Sequence, residues 1–218
     1  MTLTEKYRPA TWSEVIGQPK VLKAIDTLRR HGGLAGRAYW ISGASGTGKT
    51  TIARLIAAEV ANEFFVQEVT ARTLYPSHVA EIEASLRSYG WDDRPDGRCG
   101  RAVIVNEAHG LRADTIETLL DALERIPEHT CWVFTTTREG EERLFEGIDA
   151  PPLLSRCTPL ALTTQGLNKV FAARAREIAQ REGKDGAELA RYERLAKDRK
   201  NNFRAILQDI DAGCMLAE

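Results

Sequence analysis

Short apolar runs bounded by turn residues alternate along the chain with longer stretches of helical period. That alternation is the pattern that builds a parallel sheet covered by helices. The runs fall at 38–42, 64–69, 102–105, 131–136 and 158–162, which predicts five strands. Between them, 50–62 sets Ile52, Leu55, Ile56 and Val60 on one face, and 113–125 does the same with Ile116, Leu119, Leu120 and Leu123. Both are expected to be helices packed on the sheet. From Gln165 to Ala217 the strand signals stop, and three helical stretches follow, separated near Gly183 to Gly186 and near Lys200 and Asn201. The expected organisation is an αβα domain over 1–163 and a small helical domain over 164–218. The stretch 90–100, rich in Gly, Pro and charge, reads as a surface loop feeding the third strand.

Composition narrows this picture little. With 218 residues, 43% hydrophobic and 28% charged, the chain is an ordinary globular sequence. Lys plus Arg number 30 against 31 Asp plus Glu, so no global positive field draws it onto nucleic acid. Any DNA contact is then local or supplied by an assembly. Cys99, Cys131, Cys157 and Cys214 form no C-x-x-C pair and are expected to be reduced thiols without a metal. The N-terminal residues lack the apolar core of a signal peptide, and no run of about 18 apolar residues exists. A cytoplasmic protein without a membrane partner is expected.

The chemistry is concentrated at strand ends. Gly43, Ala44, Ser45, Gly46, Thr47, Gly48, Lys49 and Thr50 satisfy G-x-x-x-x-G-K-[ST] after the first strand and at the opening of a helix. Glycines there let backbone N–H groups turn around phosphate oxygens, the helix N-terminus adds its positive end, and Lys49 brings a point charge to the β- and γ-phosphates. Thr50 offers a hydroxyl to Mg2+, and Thr51 follows it within the binding loop. The third strand ends Asn106-Glu107-Ala108-His109. Glu107 is a candidate general base for the attacking water, or with His109 a cap on the next helix. Asn106 stands where the usual motif has an Asp in the Mg2+ shell. An amide oxygen still accepts a hydrogen bond from a metal-bound water but carries no charge, so a weaker metal site or slower turnover is expected. Thr135, Thr136 and Thr137 end the fourth strand beside the same crevice, where threonine is also simply a good strand former.

Glu5-Lys6-Tyr7-Arg8-Pro9, followed by Trp12, Val15, Ile16, Gly17 and Gln18, resembles the N-terminal signature of the AAA+ clamp-loader ATPases, the replication factor C small subunits and bacterial DNA polymerase III gamma/tau. Leu154-Ser155-Arg156-Cys157 is similar to that family's Ser-Arg-Cys motif, with the phosphate loop and Asn106-Glu107-Ala108-His109 in family order between. The resemblance covers nearly the whole chain. It implies a P-loop domain with five parallel strands ordered 5-1-4-3-2 and a helical lid. It further implies that Tyr7, Arg8, Pro9, Val15 and Ile16 pack on adenine, and that Thr136 or Thr137 is the first phosphate sensor. Arg156 would be an arginine finger offered to a neighbouring subunit. Arg204, within Asn201-Asn202-Phe203-Arg204, would be the second sensor. ATP and Mg2+ are the implied ligands; further subunits, a sliding clamp and primer–template DNA are the implied partners.

The expected departures from the family pattern are Asn106, a chain without the collar domain and a chain without the bacterial four-cysteine zinc insertion. The residues matching the DNA-tracking helix fall at 72–87, where Glu81 and Glu83 offset the arginines. The leading expectation is an ATPase subunit that loads a clamp on DNA. A nucleotide-dependent interaction module with little hydrolysis is the second, favoured by Asn106. A motor of the Holliday-junction branch-migration type is the third; that family ordinarily carries a winged helix after the lid, for which no residues remain.

Overall fold

The computed structural model of the chain describes residues 1–90, 99–137 and 151–216. In chain order they form α1 (Leu3–Lys6), α2 (Pro19–Arg30), β1 (Arg37–Ser42), α3 (Lys49–Val60), β2 (Ala61–Thr70), α4 (Pro76–Leu86), β3 (Gly100–Asn106), α5 (Ala113–Glu124), β4 (Thr130–Thr136), α6 (Pro151–Ser155), β5 (Cys157–Ala161), α7 (Asn168–Arg181), α8 (Leu189–Asp198) and α9 (Phe203–Asp211). Most of the loop expected at 90–100 lies outside the described residues. No described helix is long and apolar enough to cross a membrane.

The strands make one parallel sheet in the order β2-β3-β4-β1-β5, the implied order read from the other edge. β4 is buried at every position. Pro159 lies in β5, an edge strand, which is where a sheet tolerates proline. Alternate residues of the central strands divide the faces. Trp40, Val103, Val105, Trp132 and Phe134 pack with α4 and α5 in one core, so Ile104, Asn106, Val133 and Thr135 look to the other face, and α3 packs on β3 and β4.

The boundary between α3 and β2 differs most from expectation. α3 stops at Val60 instead of 62, and β2 begins at Ala61 instead of 64. Ala61 continues the apolar period of the helix, but its backbone is captured by the ladder opposite Gly100. The next pairing is Val66 with Ala102, so the residues between bulge out of register and Phe64 is 84% exposed.

Contacts divide the chain into two compact units. One, Val21–Gly43 with Lys49–Ala161, holds the sheet. The other gathers Met1–Lys20, Ala44–Gly48 and Leu162–Glu218. Its core is built by α7, α8 and α9 around Phe171, Ile178, Tyr192, Ile206 and Ile210, with Leu3 of α1 in the same cluster. Within it, Gln18 is buried and its side-chain amide copies a strand partner: Nε2 donates to the Thr163 carbonyl at 3.0 Å and Oε1 accepts from the Thr163 N–H at 3.1 Å. Gly17 before it has φ 75°, and a Cβ there would stand 2.7 Å from Leu167. The break between α8 and α9 is a left-handed pair, Lys200 and Asn201 at φ 51° and 57°, closed by the Asn201 N–H on the Ala196 carbonyl at 2.8 Å.

Candidate nucleotide site

The loop from Gly43 joins β1 to α3, and its local chemistry follows from its residues. Gly46 and Gly48 take φ 74° and 97°, conformations that side chains resist. Thr47 folds its hydroxyl onto the Ala44 carbonyl at 2.8 Å. Lys49 is 9% exposed, and its Nζ donates to the Gly43 carbonyl at 2.9 Å, so the ammonium is drawn back over the loop's own start. Ser45 is exposed, and Thr50 and Thr51 are half-buried on the first turn of α3.

β1 pairs with β4 up to Ser42 opposite Thr136, and β3 pairs with β4 up to Val105 opposite Phe134. The carboxyl ends of β1, β3 and β4 therefore lie side by side, the place where parallel sheets carry ligands. Asn106 there is held on both sides. Its Nδ2 donates to Glu68 Oε1 at 2.6 Å, and its Oδ1 accepts from the Thr135 hydroxyl at 2.9 Å. Glu68, on β2, is itself gripped by Arg54 of α3 at 2.9 and 3.2 Å.

Glu107 adopts the left-handed conformation, φ 56° and ψ 48°. A non-glycine residue there costs on the order of 1–3 kcal/mol and persists only where the surroundings impose it. Its side chain makes no cap hydrogen bond to the turn that follows and remains half-exposed. His109 Nδ1 stands 3.5 Å from Glu107 Oε2 and 3.3 Å from the Thr136 hydroxyl, so the base candidate and one sensor candidate share a neighbour. Thr136 is fully buried and donates to the Thr137 carbonyl at 3.2 Å.

Arg156, between α6 and β5, donates Nη1 to the Pro152 carbonyl at 3.0 Å and pairs through Nη2 with Glu124 at the end of α5. That guanidinium holds the Glu124 carboxyl below the usual carboxylate range.

In the other unit, Tyr7 and Ile16 pack against the helical core, and the Tyr7 hydroxyl is taken by Glu182. Arg8, Pro9 and Val15 are half-buried in the same segment. Arg204 is exposed on the first turn of α9. Asn202 caps that helix, accepting from Ala205 N–H at 3.1 Å, and lies against the loop: a Cβ on Gly46 would stand 1.8 Å from Asn202 Oδ1.

Thr135 and Asn202 enter the sequence reading only as neighbours of the sensor candidates, and Glu68, Glu124 and Glu182 carry no motif and escape it. Of these three, Glu68 leaves a trace in the sequence, because the strand period puts it on the same face of β2 as Thr70, the register partner of Asn106.

These residues suit a magnesium-bound nucleoside triphosphate. Among the described residues nothing lies within 4 Å of where a Cβ on Gly48 would stand, so the backbone there is open to approach, beside a buried cation and the start of a 12-residue helix. Thr50 Oγ1 and the second lone pair of Asn106 Oδ1 are neutral oxygen donors. Mg2+ accepts such donors while keeping waters and taking its anionic ligands from phosphate.

Residues 39–160, more than half of the chain, match the ATPase family associated with various cellular activities (AAA). The DNA polymerase III subunit gamma/tau of Mycobacterium tuberculosis H37Rv is 32% identical over 157 residues, 63% of this chain and 27% of that protein. DNA polymerase III subunit tau of Escherichia coli K12 is 32% identical over 159 residues, 62% and 24% of the two. The gamma subunit of Buchnera aphidicola subsp. Baizongia pistaciae is 28% identical over 193 residues, 78% and 49% of the two. The chain thus spans between about a quarter and half the length of these relatives. Among solved structures, the Thermotoga maritima RuvB Holliday junction branch migration motor matches with a TM-score of 0.67 and 25% identity, over 94% of this chain and 64% of that one.

Proposed function

We propose, from the premise that the chain belongs to the AAA family of ATPases, that it binds and hydrolyses Mg2+-ATP as one subunit of a clamp-loader-like DNA replication assembly. The loop N–H groups and Lys49 take the phosphates, and Thr51 continues the loop's contacts. Tyr7, Arg8, Pro9, Val15 and Ile16 take the adenine. Thr50 and Asn106 hold the Mg2+, which when bound neutralises charge on the β- and γ-phosphate oxygens. Glu107 accepts a proton from water as its oxygen attacks the γ-phosphorus and ADP departs. Thr136 or Thr137 and Arg204 sense the γ-phosphate, and Arg156 completes the site of a neighbouring copy or relative.

The observation that carries the ATPase reading is buried Lys49 turned onto Gly43 beside the polar ends of β3 and β4. Similarity to the gamma/tau subunits supports the replication setting, with further subunits, a sliding clamp and primer–template DNA as partners in the cytoplasm. A P-loop αβα domain over 1–163 and a helical lid domain over 164–218 belong to the same reading. Steady-state ATP hydrolysis with and without primed DNA and a sliding clamp tests it, and stimulation by the two together is expected. Turnover that DNA alone stimulates would favour a branch-migration motor, to which the RuvB likeness lends support. Tight binding without turnover would favour a nucleotide-dependent interaction module. Asn106, with both amide atoms engaged, lends support to that second reading.

A further inference from the structure

Four side chains from four elements form a line across one face of the sheet. Arg54 of α3 grips Glu68 of β2 with Nε and Nη2, Glu68 accepts from Asn106 of β3, and Asn106 accepts from Thr135 of β4. The order of donors is forced by chemistry. An ionised carboxylate only accepts, so it fixes the Asn106 NH2 toward β2 and leaves Oδ1 toward β4. Were Glu68 absent, nothing else described around Asn106 would choose between its two amide orientations, because a threonine hydroxyl both donates and accepts.

We propose that Glu68 is a positioning residue for the metal side of this site: it is the displaced carboxylate of the β3 motif, and it acts through Asn106 by locking the amide oxygen into the magnesium-facing orientation. The inference rests on the nucleotide-site reading above. The sequence alone suggests that Asn106→Asp restores a missing charge and eases the Mg2+ requirement. The structure argues otherwise, because a carboxylate at 106 would replace the donor that Glu68 accepts from at 2.6 Å and set two anions in hydrogen-bond contact. Arg54 already spends its fork on Glu68 and bridges no second carboxylate in the described contacts. The charge and the amide are therefore a matched pair, and changing one requires changing the other.

Binding of a fluorescent ATP analogue, titrated with Mg2+ and repeated in chelator, tests the pairing without turnover, alongside thermal unfolding of each variant. Glu68→Gln, whose amide faces Asn106 with either end, should raise the Mg2+ concentration for half-maximal binding by roughly tenfold, the low end for loss of an outer partner of a metal ligand. Its affinity for metal-free nucleotide should stay within about twofold, inside the scatter expected for an interaction left untouched. Asn106→Asp alone should melt at lower temperature than wild type and gain no Mg2+ affinity. Combining it with Glu68→Gln should recover the melting temperature and bring the Mg2+ requirement to the wild-type value or below. A Glu68→Gln variant with unchanged Mg2+ dependence would overturn the proposal, as would one that loses metal-free and metal-bound affinity alike. So would Asn106→Asp acting alone as a stable gain of function. A wild-type chain that binds no nucleotide, or binds it as well after Lys49→Ala, would remove the site itself and this inference with it.

Discussion

Tyr7 donates its hydroxyl to Glu182 at 2.5 Å, and Lys6 donates to both oxygens of the same carboxylate at 2.7 and 3.0 Å. Two residues of the N-terminal signature are thereby fastened to the residue that closes α7. The Lys6 ammonium, and after it the Tyr7 hydroxyl, hold the Glu182 carboxyl below the usual range, while bonding to Glu182 raises both partners. A depressed carboxyl contributes stability above its unfolded value and loses it as pH falls through the folded value. The raised partners contribute below their unfolded values and lose it as pH rises through the folded ones. The melting-temperature advantage of wild type over Glu182→Gln should therefore be flat around neutrality. It should shrink below about pH 4.5, the ordinary glutamate range, and again above about pH 10.

Glu107 is held in the left-handed region, and its carboxylate makes no cap to the following turn. Glu107→Gln keeps the shape and removes the base, so nucleotide binding should persist while turnover falls by about 10²–10⁴-fold. Single-turnover hydrolysis beside equilibrium binding separates the two effects. Near-normal turnover would leave the strained backbone without a catalytic role.

Arg156 is paired with Glu124 in its own chain, yet its proposed target is a neighbour's nucleotide. Arg156→Ala should bind ATP normally and lose about 10³–10⁵ in hydrolysis rate, the usual worth of an arginine finger. Mixing it with Lys49→Ala should return part of the activity, because one variant supplies an intact site and the other an intact finger. No recovery in a mixture that demonstrably co-assembles would assign the arginine to its own subunit or to none.

Much of the fold was legible in the sequence for a physical reason. Buried parallel strands read as apolar runs, and helices covering them read as a 3.6-residue period, so five strands and their helices declare themselves locally. The loop proposed to hold phosphate is equally local, since adjacent residues in one turn make it. What escaped lies between elements. Ala61 suits both a helix and a strand, and only the ladder opposite Gly100 decides for the strand. The company of Asn106 is set by register: Glu68 and Thr135 come from strands 38 residues before it and 29 after. Gln18 appears in the sequence as part of a signature, but its reason for being glutamine is a distant backbone pair at Thr163.

Calorimetric titration of Mg2+-ATP into wild type and Lys49→Ala tests most directly whether the loop opening at Gly43 binds ATP. In the proposed site Lys49 adds a side-chain positive charge to a loop whose other phosphate contacts are backbone dipoles. Wild type should bind with a measurable heat at one site per chain. Lys49→Ala, with unchanged melting temperature in the absence of nucleotide, should lose roughly 10–100-fold or more of affinity, the worth of a hydrogen bond from a charged group. Equal affinities for the two proteins would mean that ATP does not bind at this loop.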